Sequence, residues 1–149
     1  MRLVILLLTL SFDVRHATDS PQVFAILQQL AIDGAQRFDQ REIATFLVRD
    51  SNGMISSLPW PQTGRFRSEY YHGTIPAGTV ALAHTHPWQA DQHPSQGDIE
   101  QARRLHLPMF VVTRWNLYGI DSSGNVITLF ARSDWTRSTK STDILTASK

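Results

Sequence analysis

The chain has 149 residues, of which 42 % are hydrophobic and 18 % are charged, and its formal net charge at pH 7 is +1. These values are typical of one globular domain and exclude a disordered or fibrous protein. The absence of cysteine excludes disulfides, iron–sulfur clusters, thiolate zinc sites and a cysteine nucleophile. Because the basic residues are scattered, we expect neither a nucleic-acid partner nor stable insertion into a membrane.

The N-terminal segment resembles a short targeting sequence. An apolar run from Leu3 to Phe12 is too short to span a bilayer but suits the core of a signal peptide, and the small residue Ala17 follows it. Arg15 makes the cleavage site a poor one, so a buried first strand of the domain is the alternative. We predict a leader over residues 1–17, with export to the periplasm or exterior if it is a signal peptide and a cytoplasmic location otherwise.

The rest of the chain predicts one α+β domain over residues 18–131, followed by a mobile Ser/Thr-rich tail over residues 132–149. Apolar residues at helical spacing behind Ser20 and Pro21 predict a helix from residue 20 to 36. A second helix is predicted from residue 95 to 105, ended by Pro108. Alternating or β-branched runs between turn signals predict strands at residues 43–49, 54–58, 66–71, 79–84, 109–113, 116–120 and 126–130.

Residues capable of chemistry concentrate between the fourth of these strands and the second helix. On a strand, His84 and His86 project to the same side about 6.5 to 7 Å apart, so two imidazoles can close onto one metal ion. Asp98, in the first turn of the helix, is well placed as a third ligand. Two imidazoles and one carboxylate leave a tetrahedral position open, as in catalytic zinc sites.

Each part of this pattern also has an ordinary structural interpretation. Ser95 and Asp98 form a Ser-x-x-Asp pattern that suits a helix N-cap with its reciprocal partner. His84 and His86 can equally be polar residues on a strand, and His93 beside Pro94 is more typical of a solvated loop than of a ligand.

The combined pattern nevertheless resembles the signature of a known family. The run His-Thr-His-Pro from His84, followed by Ser-x-x-Asp from Ser95, is similar to the His-x-His-Pro…Ser-x-x-Asp motif of the JAMM (MPN-plus, JAB) zinc metallopeptidases. The resemblance extends over residues 20–130. The short segment after Asp98 is more similar to compact bacterial members than to the ubiquitin-cleaving enzymes, which have insertions around the site.

This resemblance implies a mixed sheet sandwiched by helices, with one zinc ion per chain held by His84, His86 and Asp98. It also implies a catalytic glutamate at the start of an early strand, and of the three glutamates only Glu42 opens such a strand after the first long helix. Glu42 would then act as general base, and Ser95 would stabilise the oxyanion during hydrolysis of an amide bond. The expected partner is a peptide or protein substrate, whose identity the sequence does not specify, and neither does it specify an oligomeric state.

Three alternatives remain open at this point. Gly78 followed by His84-x-His86 matches the opening of a cupin metal motif, although the glutamate and second histidine motif of a cupin are absent. The other two are a metal-binding module without catalysis and an interaction protein whose histidines bind nothing. Trp88 and Trp115 could line a substrate groove, but the commoner interpretation is that each packs its own loop.

Overall fold

The structure is a computed structural model that describes residues 12–35, 42–60, 73–132 and 134–137. The predicted strand at residues 66–71, the first eleven residues of the leader and the tail beyond residue 137 lie outside the described residues. Besides three short 3₁₀- or π-helical turns, the described residues form two α-helices and six strands: α1 Pro21–Leu30, β1 Ala44–Arg49, β2 Ile55–Pro59, β3 Thr79–Thr85, α2 Gln96–Leu105, β4 Met109–Val112, β5 Leu117–Ile120 and β6 Val126–Phe130. These bounds confirm both predicted helices and the six predicted strands that lie within the described residues.

The six strands form one mixed sheet in the order β2-β1-β3-β4-β5-β6. Strands β3 and β4 are parallel and are connected through α2, whereas every other neighbouring pair is antiparallel. Within the described part of the chain the edge strands β2 and β6 do not pair with each other, so the sheet is open and is not the closed barrel of a cupin. Gly78, which the cupin alternative used, instead has a φ of +81° in the turn before β3, where a Cβ would lie 2.5 Å from the Arg49 carbonyl oxygen.

The two helices cover opposite faces of the sheet. Helix α1 buries Val23 and Leu27 in a cluster with Phe110 on one face. Helix α2 buries Ala102 in a second cluster with Leu82 and other residues of the opposite face. The expected α+β class, with helices on a mixed sheet, is therefore confirmed.

The start of α1 and the end of α2 follow local capping rules. The C-terminal ends of both helices differ from the prediction. Ser20 caps α1 by accepting a hydrogen bond from the Val23 N–H, as predicted, but the α-helix ends at Leu30 and continues as a π-helical turn, Ala31–Ala35. Helix α2 ends at Leu105, before Pro108, because His106 adopts a left-handed conformation with a φ of 53°.

The hydrophobic core extends beyond the boundaries predicted at residues 17 and 131. Val14 and Ala17, assigned to the leader, are buried in the α1 cluster, and a Cβ at Gly119 would lie 2.5 Å from Val14 Cγ2. Trp135, assigned to the tail, is 1 % exposed and lies in a short 3₁₀-helix, Trp135–Arg137. The buried core therefore includes Trp135, which lies beyond the predicted boundary at residue 131.

None of the described helices is long and apolar enough to cross a membrane.

Candidate metal centre

Strand β3 carries the two histidines of the candidate site on its α2 side. His84 pairs with Ala44 of β1 and with Val111 of β4, so it lies over the centre of the sheet. His86 follows the end of β3, where its backbone N–H donates to the Val112 carbonyl oxygen at 2.9 Å. The side chains are largely enclosed, since that of His84 is 11 % and that of His86 is 8 % exposed.

The β3–α2–β4 connection brings Asp98 to the same place. Because β3 and β4 are parallel and adjacent, α2 must pack back across the sheet, and its first turn then lies above the end of β3. His84 Nε2 lies 3.1 Å from Asp98 Oδ1, and His86 Nε2 lies 3.4 Å from Asp98 Oδ2. The structure thus brings together the three residues that the sequence suggested as metal ligands.

The spacing of the three ligand groups suits a small metal ion. The two Nε2 atoms are 3.2 Å apart, and each lies within 3.4 Å of a different oxygen of the Asp98 carboxylate. Zinc bonds of about 2.0 to 2.2 Å in a tetrahedron require ligand atoms roughly 3.3 Å from one another. His84, His86 and Asp98 can therefore hold a metal ion, although the same geometry does not select zinc over other metals.

A backbone carbonyl sets the protonation of His86. His86 Nδ1 lies 2.8 Å from the Asp91 carbonyl oxygen, which can only accept a hydrogen bond, so Nδ1 carries the proton. In the neutral ring, Nε2 then presents a lone pair toward His84 and Asp98. This arrangement of a ligating nitrogen opposite a hydrogen-bonded N–H is the usual one in metal-binding histidines.

Asp98 is held in position by the start of α2. Its Oδ2 accepts hydrogen bonds from the Ser95 backbone N–H at 2.6 Å and from the Ser95 hydroxyl at 2.8 Å. In return the Asp98 backbone N–H donates to Ser95 Oγ at 3.2 Å, which completes a capping box. The capping interpretation of Ser95 and Asp98 is confirmed, and it coexists with the approach of Asp98 to both imidazoles.

Burial and mutual contacts both shift the pKa values of Asp98 and His86. Burial alone would raise the pKa of Asp98, but the hydrogen bonds from His84 and His86 lower it far below its ordinary range. Burial alone would lower the pKa of His86, but the hydrogen bond and negative charge of Asp98 raise it above its ordinary value. Each shift therefore favours the charged form of its group, because the carboxylate and the imidazole stabilise each other.

Glu42 lies next to the candidate ligands His84, His86 and Asp98 but is not one of them. The Thr85 backbone N–H donates to the Ile43 carbonyl oxygen at 2.9 Å, which extends the antiparallel β1–β3 pairing one step beyond β1. Glu42 is the next residue, opposite His86 in this register, and it precedes β1 rather than opening it. Its negative charge is among the causes of the raised pKa of His86.

The two exposed tryptophans near the site share one arginine. Trp88 follows the end of β3 and Trp115 follows the end of β4, and they are 42 % and 45 % exposed. The guanidinium carbon of Arg114 lies 4.8 Å from the ring centroid of each. Trp115 therefore contacts its own neighbour in the loop, as expected, whereas Trp88 contacts a residue of a different loop. His93 lies outside the ligand group, as expected, with its ring 5.7 Å from that of Tyr118.

Two contributors to the site were missed by the sequence analysis. The Asp91 carbonyl carries no side-chain signal, because any residue supplies a backbone oxygen. Arg114 had a signal that was not used, namely its position next to Trp115 at the end of a strand parallel to the one that carries the histidines.

No protein-family model and no curated protein matches this sequence.

Proposed function

We propose that this chain is a zinc-dependent peptidase or isopeptidase similar to the compact bacterial JAMM enzymes. The observation that carries the proposal is the convergence of His84, His86 and Asp98 at mutual distances of 3.1 to 3.4 Å. Two nitrogens and one oxygen are a ligand set typical of catalytic zinc, because a fourth position stays available for water or substrate.

A zinc ion bound there would supply Lewis acidity, lowering the pKa of a water ligand to near 7 and polarising a substrate carbonyl. Glu42, opposite His86 at the end of the β1–β3 pairing, would accept the proton of the attacking water. As the C–N bond of the amide breaks, Glu42 would deliver that proton to the leaving amine. One carboxylate that first accepts a proton and then donates it is enough to balance the protons of this reaction.

The role proposed for Ser95 requires a change of hydrogen-bond partner. The hydroxyl has one proton, and it is given to Asp98 Oδ2. To stabilise an oxyanion the hydroxyl would have to turn away from Asp98, whose Oδ2 would keep the Ser95 backbone N–H as a donor. The capped carboxylate therefore tolerates this rotation without becoming unpaired.

The same hydrogen bond favours a second candidate function, a metal-binding module without catalysis. If the Ser95 hydroxyl only caps α2, one component of the oxyanion site is missing. Metal binding would then organise the β3–α2 connection, and the open coordination position would serve binding alone.

The test is a comparison of the wild-type chain with Glu42→Gln, both loaded with zinc and verified by elemental mass spectrometry. A defined library of terminally blocked peptides serves as the substrate probe, and new amines are detected by mass spectrometry. We expect hydrolysis by the wild type and a loss of at least about 100-fold in Glu42→Gln at equal zinc content. Glu100→Gln, an exposed glutamate of α2, is the matched control and should retain full activity.

Equal hydrolysis by Glu42→Gln would contradict the role of Glu42. Stoichiometric zinc without hydrolysis by the wild type would favour the metal-binding module.

A further inference from the structure

We propose that Trp88, Arg114 and Trp115 form a binding subsite for a carboxylate on the peptide substrate. The three residues make one surface cluster at the edge where the parallel strands β3 and β4 end. His86 follows β3 at this same edge, two residues before Trp88, so the cluster borders the candidate metal centre.

The cluster fixes the arginine and leaves its hydrogen-bonding edge available. The guanidinium carbon is 4.8 Å from both indole centroids, so two aromatic rings restrict the position of a side chain that is otherwise flexible. Within the part of the chain that the structure describes, no carboxylate or carbonyl pairs with the Arg114 guanidinium. Its N–H donors therefore remain available for an incoming acceptor.

The chemistry of the cluster selects the ligand. A planar guanidinium matches a carboxylate through two parallel hydrogen bonds, and its fixed position reduces the entropy lost on binding. The exposed indoles, 42 % and 45 % accessible, offer apolar surface for the aliphatic part of the same side chain or of its neighbour. A peptide with an acidic residue near the scissile amide satisfies both features.

This inference rests on the proposed function only in naming a peptide as the ligand, so its test measures binding without turnover. The protein is the full chain carrying Glu42→Gln. The probes are two terminally blocked tetrapeptides that differ only in one glutamate or glutamine, and binding is measured by calorimetry and by the indole N–H signals in NMR spectra. We expect the glutamate peptide to bind about tenfold more tightly than the glutamine peptide and to shift two indole signals.

Arg114→Gln should abolish the preference for glutamate, and Arg114→Lys should restore only part of it because an ammonium lacks the planar pair of donors. Arg104→Gln, which removes an exposed arginine of α2, is the matched control and should leave the preference unchanged. Repeating the titration in EDTA separates the subsite from the metal. A preference that survives in Arg114→Gln, or that disappears without zinc, would overturn the proposal.

Different results would contradict the peptidase proposal and the carboxylate-subsite proposal. Absence of a glutamate preference together with peptide hydrolysis by the wild type would remove the subsite and leave the peptidase. A preference that depends on Arg114 in a chain without hydrolytic activity would leave the subsite and remove the peptidase.

Discussion

Ser95 and Asp98 hold each other by reciprocal hydrogen bonds at the start of α2, and the same Asp98 carboxylate faces two buried imidazoles. The two oxygens of the Asp98 carboxylate have different partners. Oδ2 accepts from the Ser95 backbone and hydroxyl, whereas Oδ1 lies 3.1 Å from His84 Nε2. A helix cap thereby fixes the rotamer of a metal ligand, which makes Ser95 a positioning residue whatever else it does.

Replacement of Ser95 by alanine should therefore weaken both the fold and the metal site. We expect the free energy of unfolding to fall by about 1 kcal/mol, as is common for a lost N-cap. Zinc affinity should fall by about 10- to 100-fold, because Asp98 loses a hydrogen bond that orients it. Urea denaturation and competition against a zinc chelator measure the two effects, and Ser95→Thr is the control that retains a hydroxyl.

The same variant separates the two roles of the Ser95 hydroxyl. If it also stabilises an oxyanion, hydrolysis by Ser95→Ala at saturating zinc should fall by about 100- to 1,000-fold. An unchanged turnover per bound zinc would show that Ser95 acts only through Asp98.

Asp98→Asn should lower zinc affinity by more than about 100-fold, since it replaces a charged ligand by a neutral amide of the same shape. The amide oxygen can still accept the hydrogen bonds of Ser95, so the helix cap should be retained, whereas the stabilising contact of the charged carboxylate with His86 is lost. Elemental mass spectrometry of the purified, untagged chain should find about one zinc per wild-type chain and much less in the variant. Glu100→Gln removes a carboxylate from the same helix without touching the site, and retained zinc in Asp98→Asn would contradict the assignment of Asp98.

The elements around the site could be predicted because their signals are local. Ser20 with Pro21 and Ser95 with Asp98 are capping patterns that act within one turn of helix. The hairpin between β1 and β2 follows from a turn sequence, and the side shared by His84 and His86 follows from strand periodicity. These features depend on neighbours a few residues apart, and the sequence displays them directly.

The features that were not predicted depend on contacts between distant segments. Trp135 looks like part of a polar tail, yet it packs against Phe24, and no local pattern reports that contact. The Asp91 carbonyl that orients His86 is a backbone group, and any residue at that position would supply it. The contact of Trp88 with Arg114 joins the segments that follow β3 and β4, and it arises because these strands are parallel neighbours.

The stability of the metal-free chain should decline between pH 6 and pH 8, and bound zinc should remove this decline. The pKa of His86 is raised above its ordinary value of 6.5, so its contribution to stability is complete below pH 6.5 and is lost as pH rises through the folded pKa. The pKa of Asp98 is lowered from 3.8, so its contribution is present above pH 3.8 and is lost as pH falls through the folded pKa. In EDTA we expect urea denaturation to show a lower free energy of unfolding at pH 8 than at pH 6.

Zinc should remove this decline, because it binds deprotonated imidazoles and therefore gains affinity as pH rises. His86→Gln serves as the control for the metal-free titration and should flatten the decline between pH 6 and pH 8. A metal-free chain that became more stable over this range would contradict the coupling of His86 to Asp98.

Trp135→Ala tests whether the segment after Ala131 belongs to the domain. The indole is 1 % exposed, with its ring centroid 6.1 Å from those of both Phe24 and Phe130. Its removal leaves a cavity between α1 and the sheet, so we expect the free energy of unfolding to fall by about 3 to 5 kcal/mol. Arg137→Ala is the control from the same 3₁₀-helix, since its side chain is exposed and its ion pair with Asp134 should contribute less than about 1 kcal/mol. Equal stability of the two variants by urea denaturation would restore the boundary at Ala131, whereas a loss confined to Trp135→Ala extends the domain to include this helix.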